Sequence, residues 1–183
     1  MTPAQILIKE HGLIVEGINL FETGVNKFEA GQKINRIFFQ DLIIFFKGYA
    51  DQTHHGKEEK IFFPVVKKHP DQNFRSCVKT LLQEHGQARN YIIAVEQSIG
   101  LYYNGDAAAK HVIVTNAKAY IQLLCSHIQK ENQCFINIEN ALPADQQTKV
   151  NDGFDKIQVE EIGEGVHDKY LEILENARIV LRI

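Results

Sequence analysis

Cysteine is scarce in this 183-residue sequence: Cys77, Cys125 and Cys134 are odd in number and form no CxxC. A disulfide framework is therefore not expected, the thiols read as small apolar residues, and a reducing cytoplasm is the expected location. Charge of one sign is also lacking. The 20 Lys and Arg are interspersed among 23 Asp and Glu, for a net charge of −3, so no basic stripe serves a phosphate backbone and nucleic acid is not an expected partner. No stretch approaches the roughly 18 uninterrupted apolar residues of a membrane span, and no basic region followed by an apolar run opens the chain. Neither membrane association nor processing is expected. Segments of β-period alternation are missing, and so is HExxH, which disfavours a metalloprotease. At 44% hydrophobic, residues 1–183 suit one all-α domain with a single substantial core.

Helix punctuation is plentiful. Thr2-Pro3-Ala4-Gln5 reads as an N-cap, a proline at the first helical position and a capping box, and predicts a helix from about residue 3 to 30. Its stripe of Leu7, Ile14, Ile18 and Phe21 includes His11. A second helix runs from roughly 33 to 68 and stops at His69-Pro70. Asp71 caps a third, which carries Val78, Leu81, Leu82, His85, Ile92 and Val95 and ends at Tyr103-Asn104-Gly105. Asp106 is expected to cap a fourth, with Val112, Ala119, Tyr120, Leu123 and Leu124 inward, interrupted by Pro143. The expected core bundle thus covers 3–141. A C-terminal helical extension over 144–181 reads as a short helix near 144–158 and a last one near 163–181, with Val166, Tyr170, Leu174 and Ala177 on one face and His167 at its edge.

Two stretches carry chemistry. Thr53-His54-His55-Gly56-Lys57-Glu58-Glu59 and Cys125-Ser126-His127-Ile128-Gln129-Lys130-Glu131 each hold a His and a Glu four residues apart, which a helix stacks on one face as a two-ligand bite for a metal. In the first stretch His54/Glu58 and His55/Glu59 share that spacing. The His54 stripe continues through Leu42, Ile43, Phe46, Ala50, Ile61, Phe62 and Val65, whereas the His55 stripe meets Lys47, Gly48 and Asp51. His54 and Glu58 are therefore expected to face inward, with His55 and Glu59 solvated or bonded around the ligands. His111, beside Lys110, reads as solvated.

The candidate ligands also meet at one height. Counting ~1.5 Å per residue, His11 and His54 lie ~30 and ~32 Å from the first turn, Glu58 and His85 ~18 and ~22 Å from the second, and His85 and His127 ~30 and ~33 Å from the third. An internal repeat follows: His85 trails His11 by 74 residues, and His127 and Glu131 trail His54 and Glu58 by 73. Two sets of imidazoles with two carboxylates between them suit a carboxylate-bridged pair of metals. One buried histidine is usually an ordinary core residue. Six such groups buried together without a cation would carry a large desolvation cost. Imidazole and carboxylate alone suit iron, manganese and zinc alike.

Lys9-Glu10-His11, His54-His55-Gly56-Lys57-Glu58-Glu59 with Phe62-Phe63-Pro64, Leu82-Gln83-Glu84-His85 with Arg89, and Tyr120 through Glu131 together resemble the hemerythrin-like, or HHE cation-binding, family. The resemblance spans residues 9 to 131 and includes the family's HHxKEExxLFP signature except that Phe62 stands in place of its Leu; the first Glu of that signature is normally the ligand. It implies an up-down-up-down four-helix bundle holding two non-heme iron ions with an oxo or hydroxo bridge. On this likeness His11 and His54 serve one iron, His85 and His127 the other, and Glu58 and Glu131 bridge them. Classical oxygen carriers of the family place another His four residues after the third-helix His, where this chain has Arg89, for which a salt bridge is the plain expectation. His167 is the candidate to restore a fifth imidazole, which makes the expected metal set His11, His54, Glu58, His85, His127, Glu131 and His167. Tyr120, on the face of His127, reads first as core and second as a hydrogen-bond donor to a bound oxygen species.

The resemblance implies binding or sensing of oxygen, peroxide or nitric oxide. The alternatives are a di-iron enzyme that consumes peroxide or repairs nitrosative damage, and metal storage or a zinc-stabilised scaffold. No sequence feature separates these or identifies a protein partner.

Overall fold

A computed structural model describes residues 1–157 and 166–182. Among the described residues the chain is helical and has no strand. Helix α1 is Pro3–Glu29, and its capping box is formed as expected: the Gln5 amide donates to Thr2 Oγ1 at 3.2 Å and the Thr2 amide to Gln5 Oε1 at 3.1 Å. Helix α2 covers residues 36–66 as one continuous rod of changing pitch. It is α-helical over Arg36–Phe45, π-helical over Phe46–His55 and Glu58–Phe62, and α-helical again over Phe63–Val66. Helix α3 is Gln72–Tyr103, with the Asp71 side chain accepting from the Asn73 amide at 2.8 Å. Helix α4 is Ala109–Ala141, α5 is Ala144–Lys156 and α6 is Val166–Leu181.

Asp106 does not cap α4 as expected. Its Oδ1 accepts the Ala108 amide at 2.9 Å, in the turn ahead of the helix, which begins at Ala109 without a side-chain cap. The expected end of the fifth helix near 158, the start of the last near 163 and the side chain of Val166 lie outside the described residues.

Contacts between neighbours set the order of the bundle. Pairs such as His11–His54 (α1–α2), Lys47–Glu96 (α2–α3), Glu84–His127 (α3–α4) and Lys118–Glu29 (α4–α1) close a ring. The register reverses along each pair: Gln5 meets Glu139 while Glu29 meets Lys118, so α1 and α4 run antiparallel. Two apolar clusters fill the interior. Phe21, Phe39, Phe46, Val95, Ile113 and Tyr120 belong to one, and Leu7, Phe62, Phe63, Leu81, Phe135 and Ile138 to the other. Full burial of such a side chain contributes about 1.5–3 kcal/mol. Helix α6 lies against α1 and α2, where Arg178 pairs with Glu16 at 2.7 Å. A methyl group at Gly48 would come within 2.0 Å of the Tyr170 hydroxyl, so a side chain there would displace this tyrosine from the π-helical part of α2.

The expectation of unpaired thiols is corrected. Cys77 of α3 and Cys134 of α4 form a disulfide, because antiparallel packing brings together two residues 57 apart in sequence, while Cys125 is free and exposed. No helix among the described residues is long and apolar enough to cross a membrane.

Candidate metal centre

Between the two apolar clusters, polar groups converge. His11, His54, Glu58, His85, His127 and Glu131 come from four different helices, and all are buried to 2% exposure or less. His11 Nε2 stands 3.0 Å from His54 Nε2 and 3.1 Å from Glu131 Oε2. Across the centre, His85 Nε2 stands 3.2 Å from His127 Nε2, which lies 3.0 Å from Glu131 Oε1. Glu58 mirrors this arrangement, with Oε1 at 3.4 Å from His54 and Oε2 at 3.4 Å from His85. Each carboxylate thus turns one oxygen to either half. None of the four oxygens has a hydrogen-bond partner.

The outward nitrogens explain why. His54 Nδ1 bonds Glu10 Oε2 at 2.9 Å, His127 Nδ1 bonds Glu84 Oε2 at 2.9 Å and His85 Nδ1 bonds Glu59 Oε1 at 2.7 Å. His11 Nδ1 bonds Asn132 Oδ1 at 2.7 Å. A carboxylate or amide oxygen only accepts, so Nδ1 of each ring carries a proton, and in the neutral ring Nε2 presents a lone pair inward. With the rings neutral, lone pairs face lone pairs across 3.0 and 3.2 Å and face carboxylate oxygens besides. That arrangement is repulsive without a cation and is the donor set a cation requires.

A fifth imidazole belongs to the cluster. His55, expected to be solvated or bonded around the ligands, is 4% exposed and stacks on His85 with ring centroids 3.8 Å apart and planes 15° from parallel. Ligand atoms of His55, His85 and His127 lie within 4.8 Å of one another, as do those of His11, His54, Glu58 and Glu131. The cause is the pitch of α2. The Gly56 amide bonds the Asp51 carbonyl and the Phe63 amide bonds the Glu58 carbonyl, each five residues back. Such a widened turn holds one residue more than an α-turn, so His54 and His55 both reach the interior. Pro64 has no N–H to continue the α-ladder there, and Thr53 Oγ1 donates to the Gly48 carbonyl at 3.0 Å within the widened stretch. The available sequence signal was Asp51, four residues before His55, which accepts from its Nδ1 at 3.2 Å.

His167, the expected source of that imidazole, is instead exposed on α6, with its ring 6.1 Å from Tyr49. Helix α6 turns Tyr170, Ile173, Leu174 and Ala177 inward, which leaves His167 outside the cluster. Arg89 makes the expected salt bridges, at 2.7 Å to both Asp51 and Glu59. Tyr120 is buried with its ring edge-on to Phe21 and Phe46. His111 is exposed, as expected.

Burial, and next the Glu131 charge, raises the Glu58 pKa well above the ordinary carboxylate value. Burial opposes ionisation of Glu131 as well, but His127, His11 and His85 outweigh it and hold that carboxyl well below the ordinary range. Burial and then the proximity of His85 lower His55 to about 3, which keeps its ring neutral and able to ligate. At Asp51 and Glu59 burial is outweighed by bonds from His55 or His85 and from Arg89, and both are lowered to about 2.

The internal repeat extends to the surrounding residues. Glu10 and Glu84, 74 residues apart, each bridge a histidine to a lysine, Lys57 and Lys130 respectively. Lys57 is buried beneath the Phe154 ring of α5, 6.0 Å away, whereas the Lys130 side chain is 46% exposed.

A family model described as the hemerythrin HHE cation-binding domain matches residues 2–137. No curated protein and no solved structure gives a significant match.

Proposed function

This chain belongs to the hemerythrin HHE cation-binding domain family, and from that premise we propose that it is a non-heme di-iron protein that binds or senses oxygen, peroxide or nitric oxide. One observation carries the reading: four buried carboxylate oxygens without a hydrogen-bond donor lie between two groups of inward imidazole lone pairs. His11 and His54 would hold one iron and His55, His85 and His127 the other, with Glu58 and Glu131 bridging. Counting His55, one metal would have three imidazoles and two carboxylate oxygens within reach, and its neighbour two of each. The position held by His11 and His54 would then be the more open to a small molecule. When bound, the iron pair would supply the redox chemistry. The chain's own residues fix the rings and exclude water through Phe62, Phe63 and Phe135.

Elemental analysis of protein produced with iron available, together with oxygenated-minus-reduced absorption spectra, tests this. Two irons per chain and a reversible difference spectrum are expected. One zinc and no iron would overturn the dinuclear reading, and steady peroxide consumption without a reversible spectrum would favour the enzyme. We also propose a cytoplasmic location, against which the Cys77–Cys134 disulfide weighs. A Cys77–Cys134 bond fully formed in protein extracted under alkylating conditions would point to an oxidising compartment instead.

A further inference from the structure

Arg89 lies on α3 one turn beyond His85, and its guanidinium joins two carboxylates. Nε donates to Asp51 Oδ1 at 2.8 Å, while Nη2 lies 2.7 Å from both Asp51 Oδ1 and Glu59 Oε1. Those same oxygens accept from ring nitrogens, Asp51 from His55 Nδ1 at 3.2 Å and Glu59 from His85 Nδ1 at 2.7 Å. We propose that Arg89 is a positioning residue: by gathering Asp51 and Glu59 it fixes the rings of His55 and His85, with Nε2 of each turned to the metal position they share. The geometry stands on its own, and its consequence for metal binding rests on the di-metal reading.

The internal repeat supports treating these residues as one unit. At the offsets that relate the two halves, the counterparts of His55, Asp51 and Arg89 are Ile128, Leu124 and Val15. The half without a third imidazole lacks its carboxylate and its cation as well, so the three polar residues occur together or not at all. Electrostatics gives the reason. Asp51 and Glu59 share one guanidinium nitrogen, so without Arg89 two like charges would face each other across that gap and turn towards solvent, to which their side chains are already 29% and 28% exposed. A lysine would restore the charge but not the planar fork that reaches two carboxylates at once.

The test begins with metal-free protein, in which histidine 15N NMR reports the tautomer of each ring. At a pH that leaves both rings neutral, wild type should show His55 and His85 as single Nδ1–H tautomers, Arg89→Gln should give both rings mixed tautomers, and Arg89→Lys should recover them only in part. In iron-loaded protein, Arg89→Gln should speed transfer of one of the two ions to a chelator by about 10–100-fold and leave the other unchanged. Unaltered tautomers in folded Arg89→Gln overturn the proposal, as does equal acceleration of both ions. Should that variant not fold, Asp51→Ala cuts the same chain at its next link and must loosen His55 while His85 stays fixed; if both rings keep their tautomers the proposal fails. A wild type that takes up no metal would sink the di-metal reading, and the tautomer comparison would still decide the role of Arg89.

Discussion

The segments 54–59 of α2 and 127–132 of α4 begin alike and deliver different things. Each places a His and a Glu four apart at the centre, and each continues with a residue, Glu59 or Asn132, that bonds Nδ1 of a histidine on a neighbouring helix. Helix α4 keeps α-pitch throughout, so only one face enters the centre and the residue after His127, Ile128, packs in the apolar core. Helix α2 widens to π-pitch and admits His55 beside His54. The comparison teaches that a ligand count read from helical stripes holds as long as the pitch does, and that one widened turn can add a ligand without any change of spacing.

Removing the shared elements should have the largest effect. Glu58→Ala or Glu131→Ala takes away a carboxylate that faces both halves, and either is expected to reduce metal content from two per chain to less than one by elemental analysis. A variant that still held two ions would break the supposed equivalence of the two segments. Next, His55→Ala and Ile128→Ala separate what the pitch difference adds. The first should leave about one firmly held metal per chain with stability little changed. The second should keep both ions and lose about 2–5 kcal/mol in denaturant unfolding, as for other buried isoleucines.

Smaller effects concern the hydrogen bonds behind the rings. Glu59→Ala and Asn132→Ala each free one Nδ1–H, and each is expected to weaken metal binding about 10-fold or somewhat more, measured by competition with a chelator. The charged Glu59 should matter more than the neutral Asn132. A wild-type affinity in Glu59→Ala would show that it serves only as a surface partner of Arg89. The smallest effect is expected of His167→Ala. Exposed on α6, it should leave metal content and absorption bands as they were, and a shifted spectrum would return it to the centre.

These differences follow what sequence makes legible. The all-α fold and the convergence of His11, His54, Glu58, His85, His127 and Glu131 could be read because α1, α3 and α4 keep a regular period and because turns at Gly31, Pro70 and Gly105 fix the heights of their residues. The register of α2 was legible at His54 and lost at His55, since a π-turn depends on local bonds, Thr53 to Gly48 and Gly56 to Asp51, that no apolar stripe records. The Cys77–Cys134 pair is a relation between helices, so spacing along one helix could not reveal it. His167 was expected at the edge of the apolar face of α6, but a stripe along one helix does not say which part of the bundle that face packs against.

The contact between Gly48 and Tyr170 gives the widened turn a mechanical character. A π-turn gains little by itself over the α-turn it replaces, so something must hold it open, and here the phenol edge of the last helix rests in the notch that the glycine leaves. The last helix is thus expected to brace the segment that carries His55, beside the Thr53–Gly48 bond. Grip on one metal and seating of the C-terminal helix are then two readings of the same joint: whatever lifts α6, a Gly48→Ala side chain included, is expected to let α2 recoil and to slacken that grip, visible as faster release of a single ion.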